Sequence, residues 1–89
     1  MCRNIKPLFN FDPPATDQEI RDASLQYVRK LSGYHKPSEE NLIAFNQAVD
    51  DIALATKELL DSLQTKAPHK NREIEAQKAR ERSQKRFGN

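Results

Sequence analysis

The sequence predicts an all-α chain: an antiparallel helical hairpin with an extended amino-terminal arm and a basic, partly helical carboxy-terminal tail. Three observations predict it. Apolar residues recur at three- and four-residue steps in two long stretches. Residues suited to starting and stopping helices bracket those stretches. Charge is segregated along the chain: residues 1–65 carry seven Lys/Arg against ten Asp/Glu, a balance of −3, and residues 66–89 carry eight against three, a balance of +5.

The arm covers residues 1–15 and ends in Phe9-Asn10-Phe11-Asp12-Pro13-Pro14, where consecutive prolines forbid a helix and push the preceding residues towards extended geometry. The first helix is expected over 17–32. Thr16 and Glu19 form a capping-box pattern, and Asp17 and Glu19 suit the positive end of the helix dipole. Its apolar positions are Ile20, Ala23 or Ser24, Tyr27 and Leu31, with Val28 beside them. Arg29 and Lys30 occupy the last turn, and Gly33 suits the position just past the end.

After the connection Gly33-Tyr34-His35-Lys36-Pro37, Ser38 is placed to cap a second helix over 39–65, with Glu39 and Glu40 in its first turn. Leu42, Phe45, Val49, Ile52, Thr56, Leu59 and Leu63 alternate steps of three and four, a seam kept over three heptads; Ile43, Ala48, Ala53, Ala55 and Leu60 widen it. The helix is expected to stop before Ala67-Pro68.

At about 1.5 Å per residue the first helix spans roughly 24 Å and the second roughly 40 Å. A hairpin of unequal arms leaves Ile52, Leu59, Leu60 and Leu63 beyond the reach of the shorter helix. These four form the expected partner-binding surface, the arm covering part of it with Ile5, Leu8, Phe9 and Phe11, and a partner or second copy the rest. The body is thus expected over 1–68 and the basic tail over 69–89. Residues 71–86 permit a helix, but Ile74 is their only sizeable aliphatic, too little apolar surface to dock strongly, so fraying or disorder is expected in solution.

Composition narrows the classes. Eighty-nine residues with 36% apolar and 31% charged content and no Trp allow one domain with a modest core. Cys2 is the only cysteine, which rules out an intramolecular disulfide and fits a reducing compartment. No run approaches the roughly 20 apolar residues of a membrane span, so no membrane association is expected. The opening heptapeptide lacks the apolar stretch of a secretory signal. A cytoplasmic location is the default, with an organelle matrix left open.

The tail is the first candidate site. On a helix Lys78, Arg82 and Lys85 share one face with Arg86 adjacent, and Arg80 adds to the charge. Such a stripe suits RNA or another polyanion, because each neutralised phosphate releases a counterion, and Phe87 could add stacking. Glu73, Glu75 and Glu81 interrupt the charge, and a solvated helix with a Glu81–Lys85 pair is the plainer reading. An acidic protein groove is the third.

The Phe9–Pro14 segment reads better as an arm packing two aromatics across the hairpin than as a docking peptide. Cys2, once Met1 is removed, would present a terminal thiol beside its own amino group, with Arg3 near it. The known enzymes of that kind need a large sandwich fold, which so short a helical chain lacks, so no catalytic residue is assigned. His35 and His69 stand in loop-like contexts, and no pair of residues shows metal-ligand spacing, so neither metal nor cofactor is expected. Asp50-Asp51 and Glu39-Glu40 read as helix-surface charge; Asn46 and Asp50, one turn apart near the seam, could fix register or bind a polar partner group, and surface placement is the plainer reading. The hairpin tip, aromatic and basic, is equally a contact site and a plain turn.

Met1-Cys2-Arg3-Asn4-Ile5, Phe9-Asn10-Phe11, Pro13-Pro14-Ala15-Thr16, Tyr27-Val28-Arg29-Lys30-Leu31-Ser32-Gly33 and Lys36-Pro37-Ser38 together resemble the uncharacterised family DUF2277. The likeness runs through Leu59-Leu60-Asp61-Ser62-Leu63 into the tail. The resemblance implies a complete small protein and carries no activity, so no residue inherits a role from it.

The function expected is a non-enzymatic interaction module. It docks on a larger protein or ribonucleoprotein assembly, a ribosome among them, while the tail contacts RNA or an acidic protein surface. No small-molecule substrate is expected. The alternative is a small homo-oligomer, such as a homodimer, with a functional Cys2 thiol.

Overall fold

Local capping decides where each helix begins and ends. The computed structural model describes residues 5–87, with side chains to residue 82. Helix α1 runs Asp17–Ser32. Thr16 Oγ1 accepts from the Glu19 amide and Glu19 Oε1 accepts from the Thr16 amide, both at 3.0 Å, so two amides at the helix start are satisfied reciprocally. Gly33 stops it at φ 77°, where its N–H reaches Arg29 O at 2.9 Å and a side chain would be strained.

The second helix differs from expectation at both ends. Ser38 spends its hydroxyl on the Asn41 side chain at 2.9 Å instead of on a backbone amide, and the first turn tightens into a 3₁₀ turn, Glu39–Asn41. The α-helix proper, α2, is Leu42–Ser62. Leu63 is extended, its N–H closing the helix on Leu59 O at 3.0 Å, so residues 63–65 lie outside it. The tail, expected to fray, forms helix α3 over Arg72–Phe87. Asn71 Oδ1 starts it by accepting from the Glu73 and Ile74 amides at 2.8 and 3.1 Å.

Helices α1 and α2 pack antiparallel. Asp17 meets Lys57 at 3.0 Å and Arg21 meets Asp50 at 2.8 Å, which sets their register along one edge. Val28, Phe45 and Val49 form the buried core, with Leu25, Ala48 and Ile52 against it. Ser24 is buried without loss because its hydroxyl donates to Ile20 O at 2.8 Å. This register corrects the reach argument for Ile52: α1 extends past it to Lys57, and Ile52 belongs to the core's margin.

The seam also drifts. Leu60, eleven positions after Val49 and therefore about three full turns along, continues the buried face and is half-buried, whereas Leu59 is 55% exposed. A straight helix of 3.6 residues per turn cannot hold a 3.5-residue seam over this length without supercoiling.

The arm crosses the hairpin with Leu8 buried and Phe9 and Phe11 half-buried. Asn10 turns it in the left-handed region at φ 68°, which asparagine tolerates. The Lys70 amide then donates to Asn10 O at 2.7 Å, pairing the arm with the root of the tail. The result is a slab of 43 × 38 × 15 Å with a radius of gyration of 15.6 Å. A compact chain of this length would measure about 12 Å. Among the described residues, no helix is long and apolar enough to cross a membrane.

Candidate functional site: the arm–tail junction and the basic helix

Arg72 ties three parts of the chain together. Its Nη1 donates to Glu19 Oε2 at 2.8 Å, its Nη2 donates to Pro13 O at 3.0 Å, and its guanidinium carbon lies 5.1 Å from the centre of the Phe11 ring. Lys70 Nζ lies 5.7 Å from the same ring. Asn10 Nδ2 donates to Pro68 O at 3.0 Å. Glu19 thus works with both oxygens, one capping α1 and one holding the tail. The Arg72 guanidinium first, and the Thr16 amide second, hold its carboxyl below the ordinary value of 4.5, against the opposing effect of burial.

Sequence reasoning missed this junction. Glu19 and Arg72 stand 53 positions apart, and one residue filling two roles leaves no pattern in the chain. The visible signals were the capping box and the Pro13-Pro14 segment that presents a carbonyl no amide of its own stretch takes.

Two grooves flank the buried Leu8. One, of about 310 Å³, lies between the arm and the hairpin and is lined by Ile5, Tyr27, Ile52 and Leu60. The other, of about 410 Å³, lies at the junction. Leu8, Ile20 and Leu60 line it, with Phe9, Asn10, Gln64 and His69 around them.

Beyond the junction α3 stands apart: among the described residues it packs against neither α1 nor α2. Lys78, Arg80 and Arg82 are all exposed on it. Lys78 lies 3.5 Å from Glu75, and Gln77 donates to Glu81 at 3.3 Å. The Lys85, Arg86 and Phe87 side chains, and with them the expected Glu81–Lys85 pair, lie outside the described residues.

The expected partner surface divides. Ile52 and Leu60 are half-buried within the chain's own fold, while Leu59 and Leu63 are exposed. A larger apolar exposure lies at the other end of the hairpin, which the expected partner surface did not include: Leu31 at 70%, Ile43 at 83%, and Tyr34 and Leu42 beside them in sequence. Cys2 and Arg3 lie outside the described residues. His35 is exposed, its carbonyl accepting from Arg29 Nε at 3.0 Å. Asn46 is exposed, and Asp50 is committed to Arg21.

One family model matches the chain, DUF2277, described as an uncharacterized conserved protein, over residues 1–78. No curated protein and no solved structure matches. The matched span takes in the arm, the hairpin, Arg72 and Lys78, and it ends before Arg80, Arg82, Lys85 and Arg86.

Proposed function

We propose that this chain, which belongs to the DUF2277 family, is a non-enzymatic docking module whose helix α3 engages RNA within a larger assembly. The observation that carries the reading is the state of α3. It is fixed at its root by Arg72, packs among the described residues against neither α1 nor α2, and presents Lys78, Arg80 and Arg82 to solvent. A 16-residue helix rich in charge gains little from its own propensity, so a helix held off the body gains most from a surface it meets elsewhere. A phosphate backbone supplies that surface, since each neutralised phosphate releases a counterion. The exposed Leu59 and Leu63 on the hairpin offer apolar contact to the protein part of such an assembly.

The experiment is capture from lysate with tagged full-length chain and with a Lys78→Gln/Arg80→Gln/Arg82→Gln variant, each with and without nuclease. Nuclease-sensitive capture lost in the variant supports the reading. Capture that resists nuclease but is lost in the variant replaces RNA with an acidic protein surface. Capture identical in both chains removes α3 from the account. With a purified single-stranded RNA, the slope of log affinity against log salt should flatten by about 2 in the variant, at about 0.7 per phosphate contact.

A further inference from the structure

We infer that the groove at the arm–tail junction is a subsite for one unstacked nucleobase of the RNA whose backbone follows α3. The inference rests on the RNA reading of α3 and adds the part that reads a base. The groove has about 410 Å³, within the roughly 300–1,000 Å³ of small-ligand sites. Its floor is apolar: Leu8 and Ile20 are buried and Leu60 half-buried. Its rim pairs a half-buried aromatic, Phe9, with an exposed imidazole, His69, and side chains of these types accept bases by stacking.

Polar groups able to pair with a base edge line the same groove. Gln64 offers an amide that both donates and accepts. Asn10 donates to Pro68 O, which leaves its side-chain oxygen as the acceptor. Asp61 on the same rim repels phosphate and favours the amino groups of bases. Lys57, also on the rim, is committed to Asp17 at 3.0 Å. Phe11, which lines the groove, has Lys70 Nζ at 5.7 Å from its ring centre where α3 begins. Since Arg72 is committed to Glu19 and Pro13, Lys70 is the cation at the junction that suits phosphate. Charge therefore orients the nucleotide: base towards Asp61 and Gln64, backbone towards Lys70 and out along Lys78 and Arg82. A purely apolar peptide would leave that rim unpaired, which costs affinity.

The test uses full-length protein in two measurements. Adenosine monophosphate is titrated while backbone amide resonances are followed, and an eight-nucleotide single-stranded RNA is titrated by fluorescence anisotropy. The mononucleotide should move the amides of Asn10, Gln64 and His69 more than those of the hairpin tip. Phe9→Leu and His69→Ala should each weaken the octanucleotide about fivefold or more without changing the salt slope, because stacking and not phosphate contact is lost. Phe9→Tyr, which keeps a ring, should retain wild-type affinity and guards against a folding artefact.

If the octanucleotide binds in a salt-dependent way through α3 while both variants bind as tightly as wild type and the mononucleotide leaves the groove amides in place, the subsite is overturned and the α3 reading stands. If the groove takes the mononucleotide but the α3 triple variant binds the octanucleotide normally, the subsite stands and the α3 reading falls. Binding of neither probe overturns both.

Discussion

The two ends of the hairpin are built from the same helical pattern and end up in opposite states. At the base, where the chain enters α1 and leaves α2, Leu8 and Ile20 are buried and Leu60 is half-buried beneath the arm. At the tip, Leu31 and Leu42 hold the same phase of their helices as the buried Ser24 and Val49, seven positions away in each case, and both are exposed. Periodicity says which side of a helix faces its neighbour, and it does not say what lies above the seam. The arm decides that: it reaches the base and its described part stops at Ile5, over Tyr27 and Ile52. Beyond that point, two helices side by side in a slab 15 Å thick cannot cover their own seam.

The sharpest contrast between the ends is thermodynamic. Phe45→Ala empties the centre of the core and should cost about 3–4 kcal/mol. Leu31→Ala removes a side chain already mostly in water and should stay within about 0.5 kcal/mol. Urea unfolding measures both. In a chain this small the first loss should remove most of the cooperative transition. Equal costs at the two positions would mean that the tip is covered in solution, by a second copy or by residues 1–4, and light scattering would tell these apart.

Leu8→Ala comes next, at about 2 kcal/mol, because Leu8 is the arm's buried side chain, set between grooves whose walls include Ile20, Ser24 and Leu60. The same substitution at Leu63, which is exposed, should leave the urea midpoint nearly unmoved. A Leu8 variant as stable as wild type would show that the base is closed by the tail and not by the arm.

Most of the helical frame was legible because its signals are local. Thr16 with Glu19, Gly33, and the seam from Phe45 to Thr56 each act within one or two turns, and α1 has the bounds they indicate. The arm's two aromatics, expected to pack across the hairpin, are half-buried, and Phe11 lies against Lys70 and Arg72 at the root of the tail. Three things were not legible, each for a physical reason. The 3₁₀ start of α2 depends on which of two partners the Ser38 hydroxyl chooses. The shift of the seam from Leu59 to Leu60 accumulates only with distance. The Arg72 junction joins residues 53 apart through a guanidinium that does four things at once: pairs, donates to a carbonyl, lies against Phe11 and roots α3. The candidate site therefore lay half in view, its exposed charges readable and its anchor hidden.

That anchor can be cut without touching the core. Arg72→Gln removes the ion pair to Glu19 and the contact with Phe11, and should cost about 1 kcal/mol. The figure is kept low because both side chains are a quarter to a third exposed and solvent screens them. The larger consequence is geometric. With its root released, α3 loses its fixed direction, and a distance measured by paired spin labels between α3 and α2 should broaden. A distribution as narrow as wild type would show that Lys70 and Asn71 suffice to aim the helix.

The smallest effect is the most selective. Glu19 has its carboxyl held below 4.5 in the folded chain, chiefly by Arg72. A group whose pKa is lowered by folding contributes its stabilisation in full above the unfolded value, and loses it as pH falls through the lower folded value. The arm–tail junction should therefore be whole at pH 6 and weaken progressively below about pH 4.5, in the direction of acid. The readout is exchange of the Lys70 amide, which donates to Asn10 O and reports the junction alone. Corrected for the intrinsic pH dependence of exchange, its protection should fall with acid while that of Val49 in the core holds. In Glu19→Gln the Lys70 protection should be lower at pH 6 and flat with pH. If protection at Lys70 and Val49 instead falls together, the junction has no separate stability, and the closed base and the hairpin core unfold as one unit.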